Sequence, residues 1–148
     1  MRCLAMTDED KTAHNSPIPI TVLEEGQMVE RLRAKFPLMR FCIAAVDDSV
    51  AHAMAEQIAA LLRRAGWTPF ESQIPNTFPD WLCIEYGDDA THAGRFFSYA
   101  RQAAVMLVQE LFRVRVDART GYGNEDLDDY DLQITIGRNA GRDPRTQG

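Results

Sequence analysis

One local pattern occurs twice in this chain, and it restricts the fold more than any other feature. Phe41–Val46 (FCIAAV) and Trp81–Tyr86 (WLCIEY) are continuous apolar runs of strand length. Asp47-Asp48 follows the first run and Gly87-Asp88-Asp89 the second. Each acidic pair opens a stretch with helical apolar spacing. The near-copies CIAAVDDSVAHA and CIEYGDDATHA begin at Cys42 and Cys83, 41 residues apart. A strand that feeds a helix and then another strand, used twice, predicts a pseudo-duplicated α/β fold.

After the first acidic pair, Val50, Met54, Ile58, Leu61 and Ala65 recur at spacings of three and four, the apolar face of a helix that closes at Gly66. WTPFES (67–72) reads as a second strand, placed near an edge by Pro69. After the second pair, a long helix is predicted from about Thr91 to Val114, with Phe96, Ala100, Ala103, Leu107 and Leu111 as its main stripe. RVRVDA (113–118) reads as a strand, TGYGNEDLDDYD as a glycine-bearing acidic loop, and LQITIG (132–137) as the last strand. The two apolar runs lack alternation, as central strands covered on both faces do. The expected fold class is therefore α/β, a single domain with a mainly parallel open sheet. A flavodoxin-like sheet is the first choice and a ferredoxin-like split βαβ the alternative.

The N-terminal part divides differently. Residues 1–16 are polar and unpatterned, which predicts a disordered leader. Residues 17–40 read as a strand (Ile18–Leu23) and a helix carrying Met28, Val29, Leu32 and Phe36, together an appendage docked on the α/β domain of 41–138. Residues 139–148 read as a disordered tail.

Composition narrows the function classes. The chain has 148 residues, 45% of them hydrophobic, enough for one domain with a sizeable core. Its 22 acids outnumber 16 bases, a net charge of −6 that argues against direct nucleic-acid binding. No apolar run approaches the roughly 20 residues of a membrane-spanning helix. The first residues turn acidic too soon for a secretory signal, so a cytoplasmic location is expected. Fourteen of the bases are Arg, a compositional pointer to a GC-rich bacterial or phage genome. Cys3, Cys42 and Cys83 have no zinc-site spacing and read as buried reduced thiols.

Two readings of the acidic pairs stand side by side. If their strands are neighbours, Asp47, Asp48, Asp88 and Asp89 meet at one rim of the sheet, where four carboxylates attract a divalent cation such as Mg²⁺. Otherwise each pair caps its helix. His52 lies about 200° from Val50 around its helix and should face away from that rim. His92 sits in the first turn of the second helix. Gly121-Tyr122-Gly123 and Gly137–Gly141 fit no phosphate-binding fingerprint.

IAAVDDSVAHAMAEQIAALLRRAGW and PDWLCIE resemble two pieces of a response-regulator receiver domain, about 35 residues in all. In that resemblance Asp47 and Asp48 match the metal-binding acidic pair, and Thr120 the hydroxyl residue after the fourth strand. Glu85 holds the place of the phosphorylated aspartate. The segment between Gly66 and Pro79 has no room for the family's second helix, and LQITIG lacks its Lys-Pro. The resemblance implies a degenerate receiver that takes no phosphate.

The loop Glu125–Asp131 carries Glu125, Asp126, Asp128, Asp129 and Asp131 with no base. The long helix carries more apolar surface than one sheet face needs, including Phe97, Tyr99, Val108 and Phe112. Together these features predict a non-catalytic interaction or regulatory module with a protein partner, most simply a homodimer. One alternative is a metal-dependent enzyme or phosphate-handling domain built on the clustered aspartates. Another is an acidic phage-type inhibitor of a nucleic-acid-binding protein.

Overall fold

The computed structural model describes residues 17–71, 80–87, 99–124 and 126–140. They form one α/β domain of three helices and five strands: α1 (Val22–Lys35), β1 (Arg40–Ala45), α2 (Ser49–Arg64), β2 (Thr68–Pro69), β3 (Leu82–Gly87), α3 (Tyr99–Arg113), β4 (Ala118–Asn124) and β5 (Asp131–Ile136). The sheet order is β2-β1-β5-β3-β4. Every neighbouring pair is parallel except β5 with β3. The expected α/β class and mainly parallel open sheet are both present. The last strand in sequence is the central one, and each strand–helix–strand unit flanks it.

The helix ends follow from local chemistry. Thr21 caps α1 in a reciprocal capping box with Glu24. Asp48 caps α2, accepting from the Ala51 N–H at 3.0 Å. At the other end of α2 the Trp67 N–H reaches back to Leu62 and the Gly66 N–H to Arg63, with Gly66 left-handed at φ 88°. This is the glycine stop read from the sequence. α3 ends in the same geometry. Val116 bonds to Leu111 and Arg115 to Phe112, but here Arg115 takes the left-handed position at φ 66°.

Ion pairs fix the helix layer. Arg31 of α1 grips Glu110 of α3 with two hydrogen bonds, 2.8 and 2.6 Å. Glu25 and Arg33 of α1 both bond Arg64 of α2, through its side chain and its carbonyl respectively. α1, the expected docked element, thus lies between α2 and α3, and Leu32 on it is fully buried. One continuous apolar core joins the helices to Phe41, Leu82, Ile84, Tyr86, Leu132, Ile134 and Ile136 of the sheet.

Several sequence expectations need correction. Ile18–Leu23 is not a strand. Ile18 and Ile20 are buried in a tight turn closed by the Ile20 N–H on the Ile18 carbonyl, the Gln57 side chain bonds both the N–H and the carbonyl of Ile18, and α1 begins at Val22. The strand after α3 is ARTGYGN rather than RVRVDA, because Val114 and Val116 are spent on the helix stop and the core. WTPFES contributes only Thr68 and Pro69 to the sheet. Val50 is exposed in the first turn of α2, while Met54, Ile58, Leu61 and Ala65 are buried as expected. The apolar runs are not covered equally on both faces: Leu82, Ile84 and Tyr86 are buried, but Cys83 and Glu85 between them are half-buried. No described helix is long and apolar enough to cross a membrane.

Candidate functional site

The strand directions decide where the acidic pairs lie. Ala45, at the end of β1, and Leu82, at the start of β3, both stand opposite Ile136. The end of β1 and the end of β3 are therefore at opposite rims, with β5 between the strands. The neighbouring strands on which a four-carboxylate site depended are absent. Asp47 is exposed and Asp48 caps α2, while Asp88 and Asp89 lie outside the described residues. His52 is exposed, and His92 lies outside the described residues. Among the described residues no three His, Cys, Asp or Glu side chains are grouped to hold a metal.

The face of the sheet away from the core apolar residues carries polar rows. Cys42, Gln133 and Glu85 share one row across β1, β5 and β3, and Ala44, Thr135, Cys83 and Arg119 the next. Gln133 and Thr135 are 1% and 2% exposed. Cys42 and Cys83 are half-buried free thiols. They stand two strands and one row apart, about 12 Å, beyond disulfide reach. Burial pushes the Glu85 carboxyl above its ordinary pKa. It also pushes up the Cys83 thiol, with the Glu85 charge adding to the shift. The β3–β4 ladder shifts register beside Glu85. A Cβ at Gly121 would stand 3.1 Å from the Glu85 side chain and 3.2 Å from the Cys83 sulfur, so glycine leaves them room.

The acidic loop is partly structural. Asp131 is buried against Arg40 at 2.7 Å, so it is a fold anchor rather than a contact acid. Asp128 joins the same arginine at 3.3 Å. The Asp128 carbonyl lies where a Cβ on Gly87 would be, 1.6 Å away, so only glycine fits there. The Asp129 carbonyl receives the Ala100 N–H at the start of α3. Asp126 is exposed and Glu125 lies outside the described residues.

The helix α3 is the most distinctive surface. Its buried side is Ala100, Ala103, Ala104, Leu107 and Leu111, with Glu110 buried beside them. Its outer side carries Phe112, 73% exposed, and Val105, 43% exposed. Val108 is half-buried between them and the core. Tyr99 is partly buried, its ring 5.1 Å from both Phe36 and Tyr130. Phe97 lies outside the described residues. Val105 is the site residue that sequence reading passed over; its seven-residue spacing from Phe112, two helical turns, was the available signal. Comparison with protein-family models, curated proteins and solved structures finds no match to this chain.

Proposed function

We propose that this chain is a non-catalytic α/β module of regulatory type that acts through protein contacts and self-associates through α3. The observation that supports this reading is Phe112. A helix whose buried side is filled by alanine, leucine and the paired Glu110 leaves most of an aromatic side chain exposed beside Val105 and Val108. Burying such a ring is worth about 1.5–3 kcal/mol, a gain left unrealised in the isolated chain.

The test is the solution mass. Sedimentation equilibrium of the 16.7 kDa chain is expected to give about twice that mass in the micromolar range. Phe112→Asp is expected to return it to the monomer with an unchanged far-UV spectrum. A wild-type protein that stays monomeric at 100 µM overturns the reading.

A further inference from the structure

α1 and α3 leave a groove between them on the outside of the helix layer. Arg31 meets Glu110 and Phe36 meets Tyr99, so the two helices run antiparallel. The groove holds about 430 Å³, and Phe36, Val105 and Met106 supply its apolar lining. Phe36 is buried, Met106 half-buried and Val105 exposed.

Charge sets this face apart from the rest of the molecule. Arg31, Lys35 and Arg113 line the groove. Arg115 stands close by: hydrogen bonds from Thr21 hold the Glu24 carboxyl below its ordinary pKa, and the Arg115 charge adds to the shift. Both acids of this face are engaged, Glu110 by Arg31 and Glu24 in the capping box of α1. Four bases against two acids leave the face at +2 on a chain whose total is −6. Lys35, Arg113 and Arg115 are exposed. Lys35 lies one turn beyond Arg31, and Arg113 nearly one turn beyond Glu110 in the opposite direction. The two cations therefore flank opposite ends of the groove, about 10 Å apart along its axis.

An apolar trough with a cation at each end selects an acidic amphipathic helix. A nucleic-acid strand would meet the cations, but the groove offers its bases no exposed aromatic ring to stack on, and the net charge of the chain opposes it.

Resting on the module reading above, we propose that the α1–α3 groove receives an acidic amphipathic helix from a protein partner. Apolar side chains of that helix, spaced three and four residues apart, pack on Val105, Met106 and Phe36. Its acids reach Lys35 and Arg113. Acids about seven residues apart match the separation of the two cations, because seven residues rise about 10 Å. Phe112 is not part of the groove lining, so this surface and the self-association surface are tested separately.

Fluorescence anisotropy with a labelled synthetic helix tests the groove. The probe is an alanine-based peptide with leucines at i, i+3 and i+7 and two glutamates seven residues apart beside them. One control peptide carries lysine for glutamate, the other alanine for leucine. The acidic peptide is expected to bind the full chain at least ten-fold more tightly than either control. Lys35→Glu/Arg113→Glu, on exposed side chains, is expected to weaken that binding at least ten-fold with an unchanged far-UV spectrum. Equal binding of the acidic and lysine peptides, or binding that survives the charge reversal, overturns the proposal. So does an oligothymidine strand that binds as tightly as the acidic peptide. If the wild type binds no peptide but the full chain carrying Asp8→Asn, Glu9→Gln and Asp10→Asn does, the occupant is the chain's own N-terminal segment and the partner helix is overturned. Dimerisation abolished by Lys35→Glu/Arg113→Glu makes a second copy the occupant, with the same consequence. A chain that dimerises through Phe112 but binds no acidic peptide overturns the groove proposal alone. A chain monomeric at 100 µM that binds the peptide overturns self-association alone.

Discussion

Two residues occupy left-handed backbone at equivalent helix ends, and only one of them is glycine. Gly66 has φ 88° and Arg115 φ 66°, each at the stop of the helix in its own strand–helix–strand unit. A side chain at such a position costs on the order of 1 kcal/mol. Gly66→Ala is therefore expected to destabilise the protein by about 1 kcal/mol, and Arg115→Gly to stabilise it by about 0.5–1 kcal/mol, in urea denaturation. An Arg115→Gly variant less stable than the wild type would show that the arginine side chain contributes more than its backbone strain costs.

Glu85 gives a second residue-scale expectation. Burial raises its folded pKa above the unfolded value, so the folded state holds this proton more tightly. Ionising it costs stability progressively as pH rises from the unfolded pKa through the folded one, and the full cost applies above that. Glu85→Gln removes the cost. It is expected to raise the melting temperature at pH 8, with the gain shrinking as pH falls toward the ordinary carboxylate range. A gain independent of pH would assign the effect to packing instead.

Among the elements, α1 holds the helix layer together. The Glu110 side chain is 4% exposed and is gripped by Arg31, with Arg113 only at 3.9 Å. Removing the arginine leaves a buried carboxylate short of a partner. Arg31→Met is expected to cost about 2 kcal/mol, and Arg31→Met/Glu110→Met to recover most of that, because a packed apolar pair replaces a desolvated one. Additive losses in the denaturation cycle would contradict this. The sequence showed α1 through Met28, Val29, Leu32 and Phe36 at helical spacing. It did not show the position of α1, because a pair 79 residues apart leaves no local trace. Asp48 and Gly66 were legible for the opposite reason: caps and stops depend on a few consecutive residues. β4 was missed because its glycines read as a loop, whereas at this edge Gly121 makes room for Glu85 and Cys83.

The whole molecule is organised around β5, and this too was invisible locally. The duplication was legible as two units, but not that the last strand would separate them and reverse their mutual direction. Reversal moves the end of β3 to the far rim, which is why the acidic pairs do not converge. It also makes each unit depend on the same strand. β1 pairs with one edge of β5 and β3 with the other, and Ile134 on β5 is fully buried between them. The two tryptophans report the units separately: Trp67 precedes β2 and Trp81 precedes β3. Single-tryptophan variants, Trp67→Phe and Trp81→Phe, are each expected to unfold in one fluorescence transition. Ile134→Ala in either background is expected to lower stability by about 3 kcal/mol, the cost of a buried isoleucine truncation. Loss of the shared strand should reach both reporters equally, because neither unit has another sheet neighbour in the described structure. If Ile134→Ala shifts the Trp67 transition while the Trp81 transition stays in place, the halves fold independently and β5 does not couple them.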